Sequence, residues 1–582
     1  MRITKIIIKN YRSFDSTGQQ ILFPTQHAAL VGKNNTGKTN IFNALNLVLG
    51  NKNPAYINFE EDDYFDSSQP IEIRVVISDI SVGDKTRLFS LPGLTKPMQG
   101  ALNGKINDGT ADISFLLRKN YDAPVETIEE ESGDVQDTFE IKLWGFNVFR
   151  KKEDIRRLIM KIMVVPAVRN YKDELTASKW TSYGQLMKDV LENSLQYPSI
   201  KADLVSLNTK IQEVFMTEKT KLLEGARVVS YVDDISFQLT KDNNPSELLR
   251  NLEVFIKEGA RNFNIEYVGT GTQSAIIIGM FELVLKNKSS NNKFFCIDEP
   301  EAFIHPHGIR YLGSLIKNVS SDQNTQVLIS THSLSLVANF EPIEIIRVDK
   351  IDGKTIIKQD VSLTAAHFKR FIHQDNAEIF FSDRVVFVEG ATEKHLFGNL
   401  DKITKLQPAD QDSIDCNFDR LNLGIIRLDS VDSIVNYIKI ARAFSVKYAA
   451  VLDKDFITDP SKQNKCRELC QEVGITFQTT DLNQLINDFK TKQIIINNKG
   501  EIEDIFSDQE VANISGKTLT YVQSTKAAHI NKTSRAFKQI FGAGKAEYAI
   551  VIADYYKANL VAHPLEDVIR KIYNDDIINI NF

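Results

Sequence analysis

The sequence predicts an α/β protein with two separate sites, each set at the ends of buried strands. Three observations predict it. GKNNTGKT, Gly32 to Thr39, fits G-x-x-x-x-G-K-[ST] and sits between a strand-like run and a helix-like one. KFFCIDEPEAFIHP at 293–306 holds a short apolar run that ends in Asp298 and Glu299. In the last third, RVVFVE and KYAAVLDKD are apolar runs of strand length that end in Glu389 and in Asp453 and Asp455.

Around the first motif, AALV at 28–31 supplies the preceding strand, and TNIFNALNLVLG repeats apolar residues at helical spacing until Gly50 stops it. Gly32, Asn34, Asn35, Gly37, Lys38, Thr39 and Asn40 form the expected nucleotide-binding set. Backbone N–H groups of the loop and the helix N-terminus would cradle phosphates, because that end of a helix carries unsatisfied donors and partial positive charge. Lys38 would reach the β- and γ-phosphates and Thr39 would hold Mg²⁺. The chain is expected to bind a nucleoside triphosphate.

Composition sets wide bounds. With 582 residues, 42% of them hydrophobic and 25% charged, the chain has the makeup of a folded protein of several domains and not of a disordered one. The longest apolar stretch, AIIIGMFELVL at 275–285, is too short for a bilayer and contains Glu282, and MRITK lacks a signal-peptide apolar region. A cytoplasmic protein without membrane contact is expected. Four cysteines are too few for a disulfide framework, and Cys466 and Cys470 share one helix face without a second ligand pair, which argues against zinc. The net charge of −6 argues against a uniformly basic surface. Between Ser515 and Lys545, however, stand Lys517, Lys526, Lys532, Arg535, Lys538 and Lys545 with no acidic residue among them, a run readable as a phosphate-contacting stripe or as a solvated helix face.

Two further signals lie between and after the first pieces. YVGTGTQS at 267–274 precedes a helical run, and STHS at 330–333 follows the apolar strand QVLI. Phosphate loop, Thr-Gly-x-Gln signature, Asp-Glu pair and strand-terminal histidine, in that order, resemble the ATP-binding-cassette (ABC) ATPases of the SMC and OLD type over roughly residues 1–350. The resemblance implies that Thr270, Gly271 and Gln273 belong to the signature, Asp298 secures Mg²⁺, Glu299 is the catalytic base and His332 is the switch histidine. Thr272 departs from the pattern by standing where many cassette proteins have a second glycine. The opening KIIIKNYRSF is similar to the family's first strand and turn and would bring Arg12 near the nucleotide.

In such ATPases the signature faces a second subunit, so the resemblance implies a homodimer or higher homo-oligomer sandwiching ATP. The helical segment 170–265, including SYGQLMKDVLENSL, stands where the family inserts dimerising helices. It would divide the ATPase into halves at 1–169 and 266–360. ADISFLLRK and TFEIKLWGF, on either side of the acidic EEESGD, read as a β-hairpin with a solvated tip.

After a connector at 361–377, a new domain is expected over 378–582. Glu389 ends one strand and Glu393 follows one helical turn later, so both can face one point. Asp453 and Asp455 end another strand, where residues two apart project to the same side. Paired carboxylates at the ends of neighbouring parallel strands are the oxygen donors that two hard cations need in phosphodiester chemistry. E-G-x-x-E followed by D-x-D resembles the Toprim fold, a Rossmann-like parallel sheet. The resemblance adds a further acidic residue, placed at Glu503 with Glu501 or Asp504 as alternatives, and a late lysine, placed at Lys545. His395, His529 and His563 are expected to be structural or surface residues.

A cassette ATPase with a helical insert joined to a C-terminal Toprim domain is the arrangement of the OLD (overcoming lysogenization defect) family. Membership implies an ATP-binding, metal-dependent DNA endonuclease with Mg²⁺ as its ion and Mn²⁺ or Ca²⁺ as alternatives in the Toprim site. Members often act in bacterial defence against phage, some beside a helicase or a reverse transcriptase with its DNA product. The rival reading is an ATP-switched, SMC-like DNA clamp whose Toprim domain does not cut. Intact Glu389, Glu393, Asp453 and Asp455 favour the nuclease.

Overall fold

The computed structural model describes residues 1–50, 59–80, 113–119, 139–143, 146–147, 159–165, 182–192, 194–216, 243–251, 255–264, 267–269, 272–273, 292–302, 304–318, 325–363, 371–398, 422–428, 430–529, 532–559 and 564–580, with a few isolated positions between. The chain divides into two compact units: Met1–Leu30, Asn35–Thr331 and Lys350–Ile356 in the first, and Val31–Asn34, His332–Asp349 and Ile357–Phe582 in the second.

The first unit contains an antiparallel sheet and a parallel one. The antiparallel sheet has the order β2-β1-β4-β5-β6-β7, from β1 (Arg2–Lys9), β2 (Gln19–Leu22), β4 (Ile71–Ser78), β5 (Ile113–Lys119), β6 (Phe139–Leu143) and β7 (Phe146–Asn147). Its strands turn apolar side chains inward, among them Ile3, Ile6 and Ile8 of β1 and Ile71, Ile73 and Val75 of β4. The predicted hairpin is present, with Lys119 opposite Phe139, and its acidic tip lies outside the described residues. The parallel strands run in the order β3-β12-β11-β8, from β3 (His27–Val31), β8 (Met160–Val165), β11 (Asn292–Asp298) and β12 (Thr325–Ser330). All seven residues of β11 and all six of β12 are buried, the pattern of strands covered on both faces. Gln326 on β12 joins the two sheets: its amide accepts from the Ile3 N–H at 2.9 Å and donates to the Ile3 carbonyl at 2.8 Å. Helix α1 (Lys38–Leu49) follows β3, and Ile41, Phe42, Leu45, Val48 and Leu49 are buried at helical spacing. In the segment expected to be helical are α2 (Ser182–Glu192) and α3 (Tyr197–Val214), followed by a two-stranded ladder of β9 (Phe255–Glu258) and β10 (Arg261–Asn264). Helix α4 (Pro306–Lys317) connects β11 to β12.

After β13 (Ile345–Ile351) and β14 (Lys354–Lys358), the second unit is built on a four-stranded, wholly parallel sheet. Its order is β16-β15-β17-β18, from β15 (Arg384–Val388), β16 (Leu423–Arg427), β17 (Lys447–Asp453) and β18 (Ile494–Asn497). Because β15 lies in the middle and the chain reverses direction of travel across the sheet beside it, the carboxyl ends of β15 and β17 open a crevice, the usual place for a ligand in such folds. Around the sheet lie α5 (Ala391–Gly398), α6 (Ile434–Ala443), α7 (Gln463–Val473), α8 (Leu482–Thr491), α9 (Asp508–Ser515), α10 (Leu519–Ala528), α11 (Thr533–Phe541), α12 (Lys545–Asn559) and α13 (Glu566–Tyr573). One apolar cluster runs from Val386 and Val451 of the strands through Leu396 and Phe397 of α5 to Phe537, Tyr548 and Tyr556 of the last helices. Cys466 and Cys470 are both buried on α7.

Candidate active sites

The phosphate loop takes the conformation its glycines allow. Gly32 has φ +139° and passes so close to the Val348 carbonyl that a side chain could not fit. Gly37 has φ +108°, with the Thr355 and Ser13 hydroxyls where a β-carbon would stand. Asn35, at φ 61°, uses the tolerance of asparagine for the left-handed region. Replacing Gly37 by alanine should weaken ATP binding roughly 5- to 150-fold, since about 1–3 kcal/mol of backbone strain falls on the loop itself; titration with a fluorescent ATP analogue measures it, and unchanged affinity would refute the assignment.

Lys38 opens α1 and is only 6% exposed. Burial lowers its pKa to about 8, against the opposing pull of Glu299, Asp298 and Glu301. Thr39 donates to Asp298 Oδ2 at 2.9 Å, so the loop and the end of β11 meet directly. Asp298 is held from the other side by the Ser330 hydroxyl, at the end of the neighbouring β12. Glu299 follows with φ 44°, a left-handed conformation rare for glutamate, and its N–H donates to the Ser330 carbonyl at 3.1 Å. Desolvation, then Asp298 and Glu301, raise its pKa, with Lys38 acting against them. A carboxylate held in a strained backbone and made more basic is suited to accepting a proton from water. Arg12 donates to Asp63 at 2.9 Å and lies 3.4 Å from Asn40, whose amide donates to Ser13 at 2.9 Å. Gln273 is buried, Thr270 and Gly271 lie outside the described residues, and His332 follows the end of β12 by two positions.

In the second unit, Glu389 follows β15 directly and Glu393 lies in the first turn of α5. Asp453 is the last residue of β17. The spacing predicted Asp455 on the same strand, but the strand ends at Asp453 and Asp455 begins a single helical turn, Asp455–Thr458. Glu503 lies in the turn Ile502–Ile505 and is 1% exposed, while Glu393 is 4% exposed. Of the three acidic candidates there, Glu503 is the one beside Glu393, whose pKa it helps to raise. Glu501 instead accepts from the Ser534 N–H at 2.7 Å, and Asp504 accepts from Thr533 at 2.6 Å and caps the Glu501 N–H at 2.8 Å.

The carboxylates disturb one another. Burial raises Asp453 to about 10, aided by Glu393, Glu389, Glu503 and Asp455. Burial and then Glu503 raise Glu393 to about 7, and burial is the largest cause of the rise at Glu389 and at Glu503. Four groups of the chain counter this charge or hold its donors in place. Lys462 donates to Asp455 Oδ2 at 2.7 Å and lies 3.4 Å from Glu389 Oε1; burial works against its charge, but these two partners outweigh it and raise its pKa. The Tyr548 hydroxyl donates to Glu503, and Thr392 lies 3.1 Å from the same carboxylate. Lys545, at the start of α12, opposes the rise at both Glu393 and Glu503.

Lys462, Thr392 and Tyr548 were not singled out from the sequence. Each is an ordinary polar residue of a helix or turn, and only the fold brings it to the carboxylates. The structure gives His529 a partner in Gln539 at 3.1 Å. His395 is half-buried on α5, and His563 lies outside the described residues.

Among the described residues, no three His, Cys, Asp or Glu side chains converge closely enough to enclose a metal ion as they stand. The donor chemistry nevertheless fits a hard cation. Glu389 Oε2, Glu393 Oε2 and Asp455 Oδ1 are buried carboxylate oxygens without a hydrogen-bond partner, an arrangement costly unless a cation or a donor completes it.

Comparison with known proteins agrees with this layout. Residues 1–143 and 111–337 match the AAA ATPase domain family, which together is more than half of the chain, and residues 380–455 match the family described as overcoming lysogenization defect protein-like, TOPRIM domain. The chain belongs to the OLD family. It is 24% identical over 493 residues to the Old nuclease of Escherichia phage P2, covering 79% of this chain and 78% of that one. It is 24% identical over 482 residues to the OLD nuclease of Thermus scotoductus, covering 78% and 82%. Among solved structures, the SMC head domain from Thermotoga maritima aligns with a TM-score of 0.32 at 16% identity, covering 62% of this chain and 99% of that one. This OLD-family chain thus joins an ATPase domain to a Toprim domain, and no described helix is long and apolar enough to cross a membrane.

Proposed function

We propose that this OLD-family protein is a metal-dependent DNA endonuclease, nicking or cutting through its Toprim site under the control of a homodimeric ATPase. The observation that carries the reading is the set of three buried, unpartnered carboxylate oxygens, on Glu389, Glu393 and Asp455, at the ends of β15 and β17. The nuclease names of the relatives support it.

In this reading Glu389, Glu393, Asp453, Asp455 and Glu503 hold Mg²⁺ or Mn²⁺. Bound divalent ions supply an activated water and neutralise charge on the scissile phosphate. The chain's own groups set the stage. Lys462 gives one oxygen each of Asp455 and Glu389 a fixed partner and leaves Asp455 Oδ1 and Glu389 Oε2 open. Tyr548 and Thr392 orient Glu503. Lys545 places positive charge beside the cluster, where negative charge grows on the phosphate during cleavage. The test is cutting of supercoiled and linear DNA by the wild-type and Asp455→Ala chains, with Mg²⁺ or Mn²⁺, with and without ATP.

For the ATPase, Lys38 would pair the phosphates, Thr39 and Asp298 would hold Mg²⁺, and Glu299 would orient and deprotonate water. Glu299→Gln should lower ATP turnover at least about a hundredfold, the low end of what a general base contributes, with nucleotide retained. Single-turnover hydrolysis beside filter binding measures both, and undiminished hydrolysis would refute the role. With the signature residues Thr270, Gly271 and Gln273 completing a partner's site and His332 as the switch histidine, the same variant should accumulate as a nucleotide-bound dimer in sedimentation. The phage-defence role implied by family resemblance predicts that cells carrying Asp455→Ala lose protection while those carrying the wild-type chain keep it.

A further inference from the structure

The sequence stripe of basic residues resolves into parts with different roles. Lys526 is engaged internally: it bonds Asp508 at 2.8 Å and the Phe506 carbonyl at 3.2 Å. Lys532, Arg535 and Lys538 differ, for all three are exposed and lie three residues apart at and along α11. Three-residue spacing puts them on one face of the helix. The opposite face buries Ser534, Ala536, Phe537 and Ile540 in the core of the unit. Among the described residues, Arg535 and Lys538 have no carboxylate partner.

The helix is fixed at its start to the turn that carries Glu503. The Ser534 N–H and the Thr533 hydroxyl are held by Glu501 and Asp504, the two residues after and before which the turn presents Glu503. Lys532 lies close enough to Asp459 to help lower its carboxyl, after the larger effect of Ser461, and Asp459 caps the helical turn that begins at Asp455. The row of cations therefore starts at the end of α11 that is tied to the turn carrying Glu503. Because the N-terminal N–H of Ser534 is already taken by Glu501, the side chains and not the helix end are what remains for an anion.

We propose that the exposed face of α11 is the track that holds the DNA backbone leading into the Toprim site. From Lys532, just before the helix, to Lys538 the chain advances roughly 9 Å, comparable with the roughly 7 Å that three successive phosphates of one strand span along a duplex. The occupant is a phosphate chain and not a lipid surface, since Gln539 is the other exposed residue beside the row and no large apolar side chain projects with it. The proposal rests on the nuclease reading.

The experiment uses the full chain with Lys532, Arg535 and Lys538 all changed to Gln, and Arg535→Glu alone as a second variant. Binding of labelled duplex DNA is measured in EDTA across a salt series. The triple variant should bind at least tenfold more weakly at low salt, and its plot of log affinity against log salt should be shallower by about 2–3, as expected for the loss of three phosphate contacts. Arg535→Glu should weaken binding further than a neutral change there. Hydrolysis of bis(p-nitrophenyl) phosphate, too small to reach α11, should be unchanged in both. An unaltered salt slope in the triple variant would overturn the track even if the wild-type chain cuts DNA. A wild-type chain that hydrolyses neither substrate would overturn the nuclease reading, while the slope still decides whether α11 holds the backbone. Loss of binding to anionic vesicles with DNA binding intact would overturn the choice of partner.

Discussion

Asp455→Ala should cut DNA at least about a hundredfold more slowly than the wild-type chain while binding ATP with the same affinity. The argument runs through both oxygens of Asp455. Oδ2 takes the Lys462 ammonium at 2.7 Å, and Oδ1 is buried without a partner. Alanine removes a donor from the proposed cation site and also frees Lys462, whose remaining carboxylate neighbour is Glu389 at 3.4 Å. An ammonium released onto Glu389 competes with a divalent ion for it. Loss of groups that merely orient a metal ligand commonly costs 10–100-fold, and loss of a preorganised charge at the reacting centre about 10²–10³-fold, so a hundredfold loss is the lower bound. Asp455→Asn separates the two effects, because it keeps the size of the side chain and a polar oxygen but not the charge. ATP binding is the control, since Lys38, Thr39 and Asp298 belong to the other unit. Cutting at the wild-type rate by Asp455→Ala would remove it from the metal site. A wild-type chain inert with every ion, nucleotide and DNA form would return the clamp reading to the front.

The parts of this protein that could be read from its sequence are those whose chemistry is local. A phosphate loop is a strand, a tight turn and a helix within about twenty residues, so Gly32, Gly37, Lys38 and Thr39 carry their geometry with them. The same is true of Glu389 and Glu393, one strand end and one helical turn. Asp455 shows where local reading fails: D-x-D on an apolar run suggests a strand, yet the chain bends into a helical turn at Lys454 and Asp455 leaves the sheet. Choosing Glu503 over Glu501 and Asp504 needed the fold as well. In sequence the three are equivalent acids, and what separates them is that Glu501 and Asp504 cap each other's turn and the start of α11 while Glu503 is turned inward. Ser330, Lys462 and Tyr548 were invisible for a different reason. Each acts on a carboxylate 7 to 45 positions away, Lys462 on Asp455, Ser330 on Asp298 and Tyr548 on Glu503, and no spacing rule links a strand-end serine or a helix tyrosine to an acid in another element.

The acidic cluster should also make the stability of the cation-free protein fall as pH rises, and make divalent ions stabilise it more at pH 8 than at pH 6. Glu393 is raised from 4.5 to about 7 by burial and by Glu503, and Asp453, Glu389 and Glu503 are raised as well. A carboxyl whose folded pKa lies above its unfolded one binds its proton more tightly when folded. Its contribution is therefore complete below the unfolded value and is lost as pH climbs through the folded value, the reverse of a salt-bridged aspartate. For Glu393 that window runs from about pH 4.5 to about 7, and the shift corresponds to on the order of 3 kcal/mol, a large part of the marginal stability of a domain. Divalent cations bind the ionised form, so they oppose the loss and their effect grows as the protons leave. Thermal unfolding of the full chain from pH 5 to 8, in EDTA and in Mn²⁺, measures both trends. Glu393→Gln cannot ionise and removes one negative charge from its neighbours, so it should flatten the pH dependence and reduce the gain from Mn²⁺ together. A wild-type profile that rises with pH, or a variant that keeps the full slope and the full Mn²⁺ effect, would show that these carboxylates do not share the uncompensated charge on which the proposed metal site depends.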